Sequence, residues 1–232
     1  MLIERQILKR LNKKILMPEV EFPINPQLIL WDWSGTISDD RDSIYEVNVG
    51  AFRDYDLSLP DRREMFSGAT GTLQSRLAKE GVVIDKFSEI EVFRKYFDAA
   101  AAKGIIPQIY LEAAEVIKRI SGTGVPMAIV STHPQDYLEQ EAERYGIKEC
   151  FRSILGSLIT KTEALESLCL GFRVPKEKAV FVGDTKFDMD SGRAIGIPVI
   201  GVSHGYHSKE QLLETNPLEV VDDLIEVEKL LI

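Results

Sequence analysis

Short apolar runs recur along the chain at wide intervals, and polar, helix-forming stretches fill the spaces between them. Leu28-Ile29-Leu30-Trp31, Met127-Ala128-Ile129-Val130, Ala179-Val180-Phe181-Val182 and Pro198-Val199-Ile200-Gly201-Val202 are the clearest. Each is rich in β-branched or bulky side chains and bounded by turn residues, the mark of strands buried on both faces. Phe151 to Leu155 makes a weaker fifth. Between the runs, Leu111, Ala114, Ile117 and Ile120 fall at helical spacing ahead of the turn Ser121-Gly122-Thr123-Gly124. Tyr137 to Tyr145 forms a second helix, and Thr160 with Glu163 reads as a capping box opening a third through Leu168. The alternation predicts an α/β fold, a Rossmann-like, doubly wound parallel sheet with helices on both faces. Such sheets carry their sites in the loops at the carboxyl ends of the strands.

Residues 41–106 break the alternation. Arg41–Tyr55, Arg62–Lys79 and Phe87–Lys103 are charged and helical, and no convincing strand lies among them. The stretch therefore reads as a helical insert covering the site, which divides the chain into a core of 27–40 and 107–232 and an inserted domain of 41–106. Residues 1–26 stand apart. Arg5, Lys9, Arg10, Lys13 and Lys14 surround Ile3, Ile7, Leu11 and Ile15 at helical spacing, and Pro18, Pro23 and Pro26 follow. A basic amphipathic helix packed on the domain behind it, then an extended connector, is the expectation; the segment lacks the apolar block of a signal peptide.

Composition narrows the function classes. Hydrophobic residues make up 44% of the 232 and charged residues 28%, enough for a real core. The net charge of −9 argues against nucleic-acid binding, which needs basic patches against phosphate. It leaves room for an anionic small substrate, because a bound metal reverses the field of a cleft locally. Cys150 and Cys169 make neither a disulfide framework nor a zinc site and suit buried thiols in a reducing, cytoplasmic setting. No apolar run approaches the ~20 residues of a membrane span.

The candidate chemistry follows the strands. After the first comes Asp32-Trp33-Ser34-Gly35-Thr36-Ile37-Ser38-Asp39; after Val130 comes Ser131-Thr132-His133; Lys161 follows the weak strand; after Val182 comes Gly183-Asp184-Thr185-Lys186-Phe187-Asp188. Carboxylates, a hydroxyl and a lysine thus meet at one edge of the sheet. Asp184 and Asp188 are four apart, the spacing of one helical turn, and with Asp32 they offer clustered hard oxygen ligands. That set suits Mg²⁺, which favours carboxylates together with substrate phosphate. Lys161 would screen substrate charge from an anionic nucleophile, Ser131 could donate to a phosphoryl oxygen, and Gly35 and Gly183 permit close backbone approach.

The order of these pieces resembles the haloacid dehalogenase-like hydrolase superfamily, in its helical-cap branch of phosphoglycolate phosphatases and phosphonatases. Its four motif regions appear as Asp32-x-Ser34-Gly35-Thr36, Ser131, Lys161 and Gly183-Asp184-x-x-x-Asp188, over roughly residues 27–232. The resemblance implies that Asp32 attacks phosphorus to form an aspartyl-phosphate. It implies that Asp32, the Ser34 carbonyl, Asp184 and Asp188 serve the metal, and that Ser131 and Lys161 hold the transferring group. The insert resembles the substrate-selecting cap. Gly35, Thr36, Thr132, His133 and the cap residue Arg76 are the candidates for contact with a small phosphorylated metabolite.

Ser34 departs from the family pattern. Phosphatases of this superfamily usually carry there an aspartate that protonates the leaving alcohol, a role a serine hydroxyl is too weak an acid to fill. Three activities therefore stay open: a metabolite phosphatase that uses another acid (His133 or a cap residue) or a leaving group that needs no proton; a carbon–phosphorus hydrolase like phosphonoacetaldehyde hydrolase, with Lys79 the nearest cap lysine; and a binding or regulatory protein without efficient turnover. Ser34→Asp is expected to raise phosphatase activity unless another group already serves. Among the remaining polar residues, Asp39 and Asp40 are expected to cap the following helix, Asp190 to turn away from the site, and His204 and His207 to be loop residues. Trp31 and Trp33 are expected to point to one side as core or pocket wall.

Overall fold

The computed structural model describes residues 23–68 and 72–232. The basic helix expected at the N-terminus lies outside them. Six strands form one wholly parallel sheet: β1 (Leu28–Trp31), β4 (Met127–Val130), β5 (Ser153–Leu155), β6 (Ala179–Gly183), β7 (Val199–Val202) and β8 (Glu219–Val221). Their order is β5-β4-β1-β6-β7-β8, so β1 lies centrally, between β4 and β6. Side chains alternate across a strand, and the apolar runs split accordingly. Ile29, Trp31, Met127, Ile129, Val180 and Val182 enter one core. Leu28, Leu30, Ala128, Val130, Ala179 and Phe181 enter the other.

Helices cover both faces. On the first lie α5 (Ala113–Gly122), α6 (Gln135–Arg144) and α10 (Leu224–Leu231), through Val116, Ile117, Ile120, Leu138, Ala142 and Val227. On the second lie α7 (Thr162–Phe172), α8 (Lys186–Arg193) and α9 (Lys209–Leu213), through Leu165, Met189 and Leu212. This is the doubly wound α/β arrangement expected from the alternation. Trp31 and Trp33 share one face, as expected.

Residues between β1 and α5 form a helical unit with an apolar core of its own. It comprises α1 (Arg41–Asp54), α2 (Arg62–Ser67), α3 (Leu73–Lys79) and α4 (Lys86–Ala102). Helices α1 and α4 meet closely at Gly50, where a Cβ would lie 2.1 Å from the ring of Tyr96. The single helix expected over Arg62–Lys79 is two, α2 and α3. The chain enters and leaves this unit through a small antiparallel pair, β2 (Ser38–Asp39) and β3 (Gln108–Ile109), which hydrophobic pattern did not signal. The unit also leans on the sheet domain: Arg94 pairs with Asp136 at 2.7 Å, and the Tyr137 hydroxyl donates to Asp98 at 2.6 Å.

Several local expectations change. Lys161 is the N-cap of α7 and no side chain caps that end, so the box of Thr160 and Glu163 does not form. In α5 the buried face is Ala113, Val116, Ile117 and Ile120, while Leu111 precedes the helix and is 90% exposed. Asp40 occupies the N-cap position of α1 without a side-chain cap bond. Cys169 is buried and Cys150 half-buried, both free thiols. Among the described residues no helix is long and apolar enough to cross a membrane.

Candidate active site

Parallel strands deliver the candidate side chains to the carboxyl edge of the sheet. Asp32 follows β1 directly, its amide donating to Val182 O at 2.8 Å. Ser131 follows β4, Lys161 opens α7, and Asp184 and Asp188 lie between and on β6 and α8. Asp32, Ser131, Lys161, Asp184 and Asp188 are all buried. Asp32, Asp184 and Asp188 each offer an oxygen within 4.8 Å of the others. The expected helical face does not bring the last two together. Asp184 precedes α8, and Asp188 folds back in a capping box, its Oδ2 accepting from the Thr185 amide at 3.0 Å and hydroxyl at 2.5 Å.

Lys161 binds this cluster from one side, with Nζ 2.5 Å from Oδ1 of Asp32 and 2.6 Å from Oδ1 of Asp188. Its balance against the carboxylates shows in their acidities. Burial, then the charge of Asp188, pushes Asp32 up to about 7 despite Lys161. Burial, then Asp32 and Asp188, raises Asp184 well above the carboxylate range. Burial works against the Lys161 ammonium, but Asp188 and Asp32 outweigh it and hold its pKa above the ordinary lysine value. With three buried carboxyl groups against one ammonium, Asp32 and Asp184 hold their protons more tightly than usual, and a hard cation is what such an oxygen cluster accommodates in their place.

The glycines of the site make room for Asp184. A Cβ on Gly35, whose φ is +78°, would lie 2.1 Å from Asp184 Oδ2, and one on Gly205 would lie 2.2 Å from it. The Thr36 hydroxyl donates to Oδ1 of Asp184 at 3.0 Å, and the Tyr206 amide donates to Oδ2 at 2.7 Å. Gly35 and Thr36, expected beside the substrate, adjoin the Asp184 carboxylate; both are buried and neither lines the neighbouring cavity.

That cavity, of about 70 Å³, opens between the sheet domain and the helical unit. Ser34, Thr132, His133 and Arg76 line it, together with Asn48, Lys86, Glu89 and Tyr206. Arg76 donates to Asn48 Oδ1 at 2.8 Å, and Asn48 in turn donates to Ile44 O at 2.6 Å. Lys79 is exposed and bonds Gly68 O at 3.4 Å; among the described residues the lysine that reaches the cavity is Lys86, paired with Glu89 at 2.8 Å.

Three buried groups here escaped the sequence reading. Asp40, expected to cap a helix, instead accepts the Tyr206 hydroxyl at 2.7 Å and lies beside the Ser34 hydroxyl. Burial pushes it up to about 6 against the lowering by His133, Ser34 and Tyr206. Glu141 accepts from Trp33 Nε1 at 2.7 Å and pairs with His133 Nε2 at 3.4 Å. Its one sequence signal is an acid on the apolar stripe of Leu138 and Ala142. His207 is buried, its Nδ1 accepting the Lys186 amide at 2.9 Å, whereas His204 stacks on Tyr110 at 3.9 Å. Asp190 turns away, as expected, to pair with Arg193 at 2.7 Å.

The chain is similar in sequence and in fold to known proteins. A phosphoglycolate phosphatase of Pseudomonas savastanoi pv. phaseolicola is 26% identical over 220 residues, covering 86% of this chain and 77% of that protein. A predicted phosphatase of Clostridium acetobutylicum superimposes with a TM-score of 0.77 at 19% identity, covering 88% of this chain and 97% of that one. A haloacid dehalogenase-like hydrolase of Streptococcus pneumoniae superimposes with a TM-score of 0.73 at 23% identity, covering 86% and 95%. The family model for haloacid dehalogenase-like hydrolases matches residues 29–202, which span the whole carboxylate and lysine cluster, and the chain belongs to that family.

Proposed function

We propose that the protein is a Mg²⁺-dependent phosphatase of a small phosphorylated metabolite, working through an aspartyl-phosphate on Asp32. The observation that carries this reading is the buried cluster of Asp32, Asp184 and Asp188 with Lys161 bonded to two of them. Asp32, Asp184, Asp188 and the backbone carbonyl of Ser34 would hold the ion, which when bound neutralises phosphoryl charge. Lys161 and the Ser131 hydroxyl steady the transferring group. Asp32 attacks phosphorus, and the resulting acyl phosphate is then hydrolysed by water to return the carboxylate.

The cavity bears on substrate size. A water needs about 10–15 Å³ on the same scale, so about 70 Å³ admits a leaving group of a few heavy atoms. Phosphoglycolate, named for the Pseudomonas relative, is of that size and is the first substrate to try. Arg76, backed by Asn48, and Thr132 would meet the leaving group. The two free cysteines and a diffusible metabolite suit a cytoplasmic enzyme.

The test is phosphate release from a panel of small phosphomonoesters and acyl phosphates, phosphoglycolate included, with Mg²⁺ or with chelator. Release that needs Mg²⁺ and vanishes in Asp32→Asn supports the reading. Tight binding of panel members without turnover would favour the regulatory alternative instead.

A further inference from the structure

Ser34 leaves open which group protonates the leaving oxygen, and the inference drawn here rests on the phosphatase reading above. Two buried groups lie near the gap. Asp40 is 1% exposed and does not line the cavity. His133 does line it, beside Ser34, Thr132 and Arg76. Behind its ring, Nε2 stands 3.4 Å from Glu141 Oε1, both atoms buried and without a hydrogen bond, and the other Glu141 oxygen accepts from Trp33 Nε1 at 2.7 Å. The edges of the ring meet Phe93 and Phe97 of α4 at centroid distances of 5.2 and 5.6 Å. Nε2 faces Glu141, and the residue itself borders the cavity.

We propose that His133 is the acid–base residue of this enzyme, and that Glu141, anchored by Trp33, is the positioning residue that keeps its imidazole oriented.

The charged and titratable groups facing the ring are Glu141, Asp136 and Tyr137 from α6, and Asp40 ahead of α1. Around the cavity stand Arg76 on α3, Lys86 and Glu89 on α4, and Tyr206 in the loop after β7. Burial works against the imidazolium, but Glu141, with Asp40 and Asp136 behind it, outweighs burial and holds the pKa above the usual histidine value. Burial likewise opposes ionisation of Glu141, and His133 outweighs it to hold that carboxylate below its usual range. A carboxylate behind the histidine thus favours the imidazolium, the form from which a general acid donates.

In the first step the bond from Asp32 to phosphorus forms, the bond from phosphorus to the leaving oxygen breaks, and the imidazolium proton passes to that oxygen. In the second, the neutral imidazole takes a proton from water as the water oxygen attacks phosphorus. Asp32 and inorganic phosphate are released, and the imidazolium is restored.

The test is the first turnover with Mg²⁺, read as release of the alcohol, for an alkyl phosphomonoester against p-nitrophenyl phosphate, whose leaving group departs as an anion. In His133→Gln the alkyl ester is expected to slow by roughly 10²–10⁴-fold and p-nitrophenyl phosphate by less than about tenfold. In Glu141→Gln the alkaline limb of the alkyl-ester rate moves to lower pH, because the imidazolium has lost its carboxylate. If His133→Gln does not fold, that pH profile decides, and an unmoved limb overturns the proposal. Equal losses on both esters in His133→Gln, or none, also overturn it, as does an Asp40→Asn variant that alone reproduces the leaving-group-selective loss. A wild-type chain that releases neither alcohol contradicts the phosphatase reading and this inference with it.

Discussion

The ammonium of Lys161 stands 2.5 Å from Oδ1 of Asp32, the carboxylate that follows the central strand β1. The same nitrogen reaches Asp188 at 2.6 Å, so one cation ties the candidate nucleophile to the acidic loop after β6. Both ends of these pairs are at most 5% exposed, which makes the lysine structural as well as chemical.

Lys161→Met should therefore fail in two ways. Turnover is expected to fall by at least roughly 10²-fold, the usual scale for losing a charge aimed at a transition state. With chelator present, denaturant unfolding at neutral pH should show a loss of about 3–5 kcal/mol, because buried carboxylates are left without their cation. A variant as stable as wild type would mean that the acidic cluster relaxes without Lys161.

Gly35→Ala tests how tightly Asp184 is held. The new Cβ would occupy the place of Asp184 Oδ2, at a φ of +78° that alanine resists. The expected outcome is a loss of stability of about 1–3 kcal/mol, together with a diminished rise in melting temperature on adding Mg²⁺. A full Mg²⁺ shift in the variant would show that Asp184 is not needed in its present position.

Asp40 sets a pH dependence of stability with a definite sign. Its folded pKa of about 6 lies above the ordinary 3.8 chiefly because of burial. The folded state thus binds a proton more tightly than the unfolded chain, and this group makes folding less favourable as pH rises from about 4 through about 6. Asp40→Asn removes that penalty while keeping an acceptor for Tyr206. The variant should be more stable than wild type at pH 8, by up to about 3 kcal/mol, and the gap should close near pH 4. Denaturant melts across that range check it; a gap independent of pH would remove Asp40 as its source.

Much of this architecture was legible in the chain. Leu28–Trp31 and Ala179–Val182 read as strands because burial on both faces makes a parallel strand continuously apolar, and the reactive residues follow those runs directly. Glu219–Val221 escaped because an edge strand of three residues carries only a short apolar signal. The pair Ser38–Asp39 and Gln108–Ile109 escaped because it is made by two chain crossings and not by a hydrophobic period. Asp184 and Asp188 converge as anticipated, but through a strand-to-helix turn and a capping box, which spacing alone does not distinguish from a shared helical face. Asp40 reads as an ordinary cap acid, and Glu141 lies unremarked within the helix Tyr137 to Tyr145. Their partners, Trp33, His133 and Tyr206, come together with them only when the chain is folded.

Ser34→Asp now carries a sharper expectation than it did from sequence. The substitution would set a second carboxylate beside the buried Asp40, a like-charge contact in a dry site. With His133 serving as the acid, alkyl-ester turnover should stay level or fall and the melting temperature should drop. Exchanging both residues, as Ser34→Asp with Asp40→Ser, should relieve the repulsion and restore part of the turnover lost in His133→Gln. Steady-state rates and melting curves of the single, double and triple variants check this; a gain in alkyl-ester turnover from Ser34→Asp alone would show that no acid was in place.

The phosphatase reading requires that Asp32 carry the phosphoryl group. It is tested most directly by rapid acid quench of the Mg²⁺-loaded protein during turnover of a small phosphomonoester, followed by peptide mapping by mass spectrometry. A transient phosphoryl adduct is expected on the peptide containing Asp32, lost on mild base treatment and absent from Asp32→Asn. Turnover that proceeds undiminished in Asp32→Asn, or an adduct that maps to another residue, would contradict it.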